Sequence, residues 1–200
     1  MAVKDHSLDQ KIIDSAMQEF LAFGYQKSSI NRIAKNAGVT TGAIYTRYKN
    51  KDALFFSLIQ DLLYEIAHRA EPIGQMYYSV KSKDDLDLFL SAIEAELDIY
   101  LDLIFSHYNQ CVLLFCKSTG SSVEQLLKEG IEKKVASTIE FLGNLSHKDM
   151  SGAGLIIKEQ SSLMPLILES GYDRDKTISC IKLFSQYNRA GWKELFEKNM

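Results

Sequence analysis

Apolar residues recur three and four positions apart along nearly the whole chain, the spacing that places side chains on one face of an α-helix. Leu8, Ile12, Ile13, Ala16, Met17, Phe20 and Leu21 keep that spacing up to Gly24, a residue type that accepts the left-handed conformation past a helix end. Ser7 with Gln10 three positions later has the capping-box pattern that starts such a helix. Only 2 prolines interrupt 200 residues. The apolar–polar alternation of a half-buried strand is absent apart from the short Met76–Val80 segment. The fold class expected is therefore all-α.

Cap residues divide the remainder into further helices. Ser28 and Ser29 cap a short second helix through Ala34, with Ile30, Ile33, Ala34 and Ala37 inward and Gly38 closing it. Thr40 or Thr41 caps a third, with Ile44 and Tyr48 on its buried side. Asn50 caps a fourth, whose face runs from Leu54 to Ile66 and which Pro72 and Gly74 end. Ser82 with Asp85 opens a helix carrying Leu86 to Ile104, and a shorter one runs from about Tyr108 to Lys117. Ser122 with Gln125 caps the next, which holds helical spacing from Val123 to Leu142. A helix over roughly 151–170 is kinked at Pro165, and the last runs from Asp173 as cap to about Glu197.

Charge is distributed unevenly. The net charge is -3, yet no acidic residue lies between Phe20 and Lys51, where Lys27, Arg32, Lys35, Arg47, Lys49 and Lys51 stand. An acid-free basic window suits a polyanion. With 46% hydrophobic and 24% charged residues, disorder is excluded, and no apolar run approaches the ~20 residues of a membrane span. MAVKDHSLDQ lacks the apolar core of a secretory signal, so the expected location is the cytoplasm, with Cys111, Cys116 and Cys180 as reduced core thiols.

Helices two and three, joined by Asn36-Ala37-Gly38-Val39, have the dimensions of a helix-turn-helix, whose second helix enters the DNA major groove. Ser28 and Ser29 sit where the second helix is positive, a phosphate contact by hydroxyl and N–H. Thr40, Thr41 and Gly42 open the third helix with short side chains that let the backbone approach base edges, and Tyr45, Thr46 and Arg47 follow. Lys51 begins the fourth helix, where its charge and nearby N–H groups can share one phosphate. Tyr45 is expected outside the head and Tyr48 inside.

The run from Ile12 to Leu58 resembles the DNA-binding domain of the TetR/AcrR family of bacterial transcriptional regulators. The resemblance rests on Ala16 and Phe20 before Gly24-Tyr25, then Ile30-Asn31-Arg32-Ile33-Ala34, then Ala37 to Tyr45, then Tyr48 to Phe55. It covers about a quarter of the chain. Thr41, Thr46 with Arg47, and Tyr48 depart from the usual pattern, which bears on operator sequence more than on DNA binding. The resemblance implies a three-helix DNA-binding head over residues 1–50 and a helical effector-binding and dimerisation body over 51–200. It further implies a homodimer through the last two helices that binds a near-palindromic operator, and a small-molecule effector that releases it. Gly152, Ala153 and Gly154 permit close helix approach at such an interface, and the last helix carries Ile178, Ile181, Phe184, Ala190, Trp192, Leu195 and Phe196.

Tyr64, His68, Tyr100, His107 and Tyr108 are the expected effector contacts, against the plainer reading that aromatic residues at helical spacing pack as core. His107 and Cys111 stand four apart with Cys116 nearby, but the helix break expected at His107 spoils a metal-ligand spacing, so no metal is expected. Neither a Gly-rich phosphate loop, a nucleophile elbow nor a His-Glu-x-x-His is present, and neither catalysis nor a cofactor is expected. The rival reading is an all-helical partner- or ligand-binding protein whose helix-turn-helix is structural only.

Overall fold

The computed structural model describes residues 6–199, with side chains from Leu8 to Lys198 apart from Lys83. The described residues form eleven α-helices and no strand. Packing divides the chain into two compact units: residues up to Leu63 with Tyr108–Leu127, and Tyr64–His107 with Lys128 onward.

The first unit contains α1 (His6–Lys27), α2 (Ile30–Ala37), α3 (Thr41–Tyr45), α4 (Lys51–Ser57) and α7 (Tyr108–Cys116). Helix α1 is broken at Gly24, whose φ of +69° lets the chain turn before one more helical turn. The expected cap at Ser7 lies outside the described side chains. Thr40 caps α3 by accepting from the Ala43 N–H at 3.1 Å, and Asn50 caps α4 by accepting from Ala53 at 2.7 Å. Phe20 meets Phe55 edge-on at 5.0 Å, Tyr25 meets Phe55 at 5.3 Å, and Ile12, Ala16, Ile33, Ile44 and Leu54 close around them, fully or almost fully buried. Each buried Ile, Leu or Phe among them contributes about 1.5–3 kcal/mol on removal from water.

A segment distant in sequence completes this unit. The Tyr25 N–H donates to the Lys117 carbonyl at 2.8 Å, and the Ser122 N–H and hydroxyl donate to the Asp52 carboxylate at 2.9 and 2.5 Å. Gly120, at φ +84°, lies so close to Gln26 that a Cβ would stand 2.7 Å from its Cγ. Asp52 thus occupies Ser122, and the cap of α8 (Ser122–Ser146) moves one residue back: Ser121 accepts from the Glu124 N–H while Glu124 accepts from the Gly120 N–H.

The second unit is built around Phe89 of α6 (Leu86–Ser106), which meets the rings of Tyr77, Phe141, Trp192 and Phe196 at 4.8–5.9 Å. Trp192 and Phe196 belong to α11 (Arg174–Asn199), for which Asp173 is the expected cap, accepting from Lys176 at 2.9 Å. Before α6, Asp85 accepts from the Ser82 N–H, but the Ser82 hydroxyl accepts from the Asp84 N–H rather than from Asp85, over a 3-10 turn at Lys83–Asp85; the cap position of α6 itself is Asp85, which makes no side-chain cap bond, so Ser82 does not cap that helix as expected.

Four expectations are corrected. The fourth helix is two, because α4 ends at Ser57 and α5 (Gln60–Ser79) begins after a tighter turn in which Leu58 and Ile59 donate to Phe55 and Phe56. Pro72 does not end α5. His68 and Pro72 both lie on its exposed side, where water can serve the carbonyl the proline leaves without a donor, so Met76–Val80 is helical through Ser79 rather than a strand. The 151–170 helix breaks at Ser161-Ser162 into α9 (Ser151–Gln160) and α10 (Leu163–Glu169), and Pro165 falls in the first turn of α10, where an N–H has no helical partner anyway. The close approach at Gly154 is made within the chain: a Cβ there would stand 2.9 Å from Ile139 Cδ1 and 3.0 Å from Val135 Cγ1 of α8, while Gly152 faces open space.

Candidate nucleic-acid interface

Helix α2, the turn and α3 form a helix-turn-helix in which Gly38 takes the left-handed conformation and its N–H returns to Ala34 and Lys35 carbonyls. Only Ile44 of α3 is buried. Thr40, Gly42, Tyr45 and Thr46 are exposed and Thr41 is half-buried, so the expected reading face is open; Tyr45 is 52% exposed. The Thr46 hydroxyl donates to the Gly42 carbonyl at 2.8 Å, which leaves its methyl and its oxygen lone pairs for a partner. Tyr48 is half-buried rather than inside.

Three of the expected contacts are engaged within the head. Ser28 is buried and donates its hydroxyl to the Tyr25 carbonyl at 2.6 Å, so it is turned away from solvent. Arg47 donates Nε to the Asp9 carboxylate and Nη1 to the Ala43 carbonyl at 3.1 Å. Lys51 donates to the Tyr25 carbonyl at 2.7 Å, with Gln26 and Ser28 carbonyls at 3.4 Å, and lies 4.3 Å above the Tyr25 ring. Desolvation pushes the Lys51 ammonium below its ordinary pKa against the pull of the Glu19 charge, and burial with the neighbouring Asp52 carboxylate pushes the Tyr25 hydroxyl up.

Ser29 begins α2 half-buried, but its hydroxyl does not cap the helix; its N–H donates to Glu19 at 2.8 Å. Glu19 is 3% exposed and also accepts from Arg32 Nε at 2.8 Å, which holds the guanidinium above its ordinary pKa. An internal carboxylate therefore stands at the positive end of α2 in the role expected of a phosphate. The signal was legible: Glu19 falls on the same stripe as Ile12, Ala16 and Phe20, an acid on an apolar face. Lys27, Lys35 and Lys49 are exposed and make no side-chain ion pair among the described residues.

The five expected effector contacts have different surroundings. Tyr64 and His68 stack on each other on the exposed side of α5, with Tyr64 74% exposed. His107 meets Glu65 at 2.9 Å, and Glu65 also accepts from Arg69, which reaches Asp102 at 2.6 Å. Tyr108 is half exposed and belongs to the first unit. Tyr100 alone enters a shielded polar group: its hydroxyl donates to Glu96 at 3.2 Å, Lys134 pairs with the same carboxylate, and burial drives the Tyr77 and Tyr100 hydroxyls far above their ordinary pKa beside that charge. Sequence reading missed Tyr77, Glu96 and Lys134 because they come from three separate helices. Among the described residues no group of three His, Cys, Asp or Glu side chains can hold a metal ion, and no helix is long and apolar enough to cross a membrane.

Residues 12–58 match the family model of bacterial regulatory proteins, tetR family. Over that stretch the chain is similar to the tetR family. It is 30% identical over 100 residues to the HTH-type transcriptional repressor Rv1474c of Mycobacterium tuberculosis, a match covering 48% of this chain and 54% of that protein. The chain thus spans about half the length of that relative, and about a third of the next two. Likeness of fold alone extends over most of the chain. A TetR-like transcriptional regulator from Rhodococcus sp. RHA1 superposes with a TM-score of 0.63 at 16% identity, over 95% of this chain and 100% of that one. The regulator FadR from Bacillus subtilis in complex with stearoyl-CoA does so with a TM-score of 0.50 at 20% identity, over 96% and 99%.

Proposed function

We propose that this chain is a homodimeric transcriptional repressor that binds a near-palindromic operator through α3 and is released by a small-molecule effector. The observation that carries the reading is the exposed face of Thr40, Gly42, Tyr45 and Thr46, free of charge, within an acid-free sequence window that also holds the exposed Lys27, Lys35 and Lys49. Short polar side chains and one aromatic read base edges, while exposed lysines hold phosphates. Within the 1–50 head, Thr40, Thr41, Gly42, Tyr45 and Thr46 carry recognition, and Ser29 completes the α2 end; phosphate contact passes from Arg47 and Lys51 to the three exposed lysines.

The remainder, 51–200, binds effector and dimerises. Leu155, Leu166, Leu183 and Tyr187 are each at least 65% exposed on α9, α10 and α11, apolar surface that a twin would cover. Ile181, Trp192 and Phe196, by contrast, are already buried within the chain. A two-fold dimer would place its recognition helices about 34–36 Å apart or a multiple of it. The effector site centres on Tyr100 with Tyr77, Glu96 and Lys134. Because FadR is described in complex with stearoyl-CoA, a long-chain acyl-CoA is the first compound to try. Release of DNA requires a coupling of about 1–3 kcal/mol between effector and operator, and it is reciprocal.

Selection from a randomised duplex pool at about 0.15 M salt tests the reading. Enrichment of a two-fold symmetric motif is expected, and Lys49→Ala should reduce the salt slope of operator binding by about 1. A pool that stays random would leave the head a structural module of a partner-binding protein.

A further inference from the structure

Helix α3 is only five residues long, carries no charged residue, and buries one side chain, Ile44. A helix this short has little stability of its own. A single buried anchor fixes where it sits better than how it is turned. The second constraint comes from Arg47, just past its end. The Arg47 side chain is 19% exposed; Nε donates to Asp9 near the start of α1, and Nη1 donates to the Ala43 carbonyl within α3 itself. A planar fork holding two acceptors 34 residues apart in sequence fixes direction as well as distance. The printed bonds use two of the five guanidinium N–H groups, and a DNA phosphate approaching the rest would meet a charge already compensated by the Asp9 carboxylate.

We infer, on the strength of the DNA-binding reading above, that Arg47 is a positioning residue: the Asp9–Arg47 pair sets the angle of α3 against α1, and with it which base edges Thr40, Gly42 and Tyr45 reach. Arg47 then contributes to operator choice without touching the phosphate backbone. Asp9, outside the basic window and remote from the reading face in sequence, matters for DNA as much as Arg47 does.

The test uses the full chain and the duplex selected from the random pool. Arg47→Ala and Asp9→Ala should each weaken that duplex about tenfold, equivalent to 1.4 kcal/mol. The double variant should be no worse than either, because the two changes break one pair. The slope of log K against log salt and the affinity for unrelated duplex should stay at wild-type values, and Arg47→Lys should restore part of the loss. Two results would overturn the assignment. If Arg47→Ala lowers the salt slope by about 1 while Asp9→Ala tightens binding, Arg47 is a phosphate contact. If both variants melt earlier yet bind the selected duplex as wild type well below the melting temperature, the pair serves stability alone. Failure of the wild type to enrich any motif is a separate result, which removes the DNA-binding reading and the role of Arg47 with it.

Discussion

Replacing Lys51 with Met keeps most of the aliphatic stem and removes the ammonium. Its donors serve carbonyls at the C-terminal end of α1 and just before α2; the Tyr25 carbonyl also accepts from the Ser28 hydroxyl at 2.6 Å. The 2.7 Å bond to Tyr25 is charge-assisted and contributes about 1.5–3 kcal/mol. The two contacts at 3.4 Å are at the edge of useful geometry and add little. The Tyr25 ring, 4.3 Å from Nζ, adds about 0.5–1 kcal/mol. Desolvation, which lowers the Lys51 pKa, subtracts from that total. A net loss of about 2 kcal/mol follows, or about 4–8 °C in the melting temperature of a chain this size. Thermal unfolding by circular dichroism reads it, with operator titrations at several salt concentrations alongside. The reasoning requires a lower Tm at an unchanged salt slope; an unchanged Tm with a slope smaller by about 1 would return Lys51 to the phosphate contacts.

Two further outcomes follow from the second unit. Gly154→Ala pushes a methyl into Ile139 and Val135 and should cost about 1–3 kcal/mol in thermal unfolding, whereas Gly152→Ala, in open space, should be neutral or stabilising; dimer dissociation by Gly152→Ala in sedimentation, with Gly154→Ala harmless, would place the small-residue contact between subunits instead. N–H groups of Lys81 and Ser82 hold the Asp85 carboxyl below its ordinary 3.8. Its folded pKa being the lower one, the stabilisation is complete above the unfolded value and is lost as pH falls through the folded one. Asp85→Asn should therefore be less stable than wild type in urea at about pH 7, and the gap should close at about pH 2; a gap that persists in acid would contradict the assignment.

Local signals proved legible where one residue decides a local outcome. Thr40, Asn50 and Asp173 cap the helices they were expected to cap, because a short side-chain oxygen has only the nearby N–H groups within reach. Ser122 looked equally eligible, and failed because Asp52, 70 residues away, had a stronger claim on both its N–H and its hydroxyl. Pro72 misled for the opposite reason: the rule that proline ends a helix assumes an orphaned carbonyl with no other partner, and on the exposed side of α5 that carbonyl is open to water.

The same contrast runs through the interface. A window of six cations and no acid reads as six candidates for phosphate, since composition counts charges without their partners. Folding brings Asp9 and Glu19, both outside that window, against Arg47 and Arg32, and turns Lys51 onto backbone carbonyls. Half of the positive charge is thereby spent on holding α1, α2 and α3 together, and Lys27, Lys35 and Lys49 are left facing solvent. A head of this size has few other means of fixing a five-residue helix at a defined angle. The cations that make the segment look suited to DNA therefore divide into those that shape the reading surface and those that can attract the backbone, and only the second set should appear in the salt dependence.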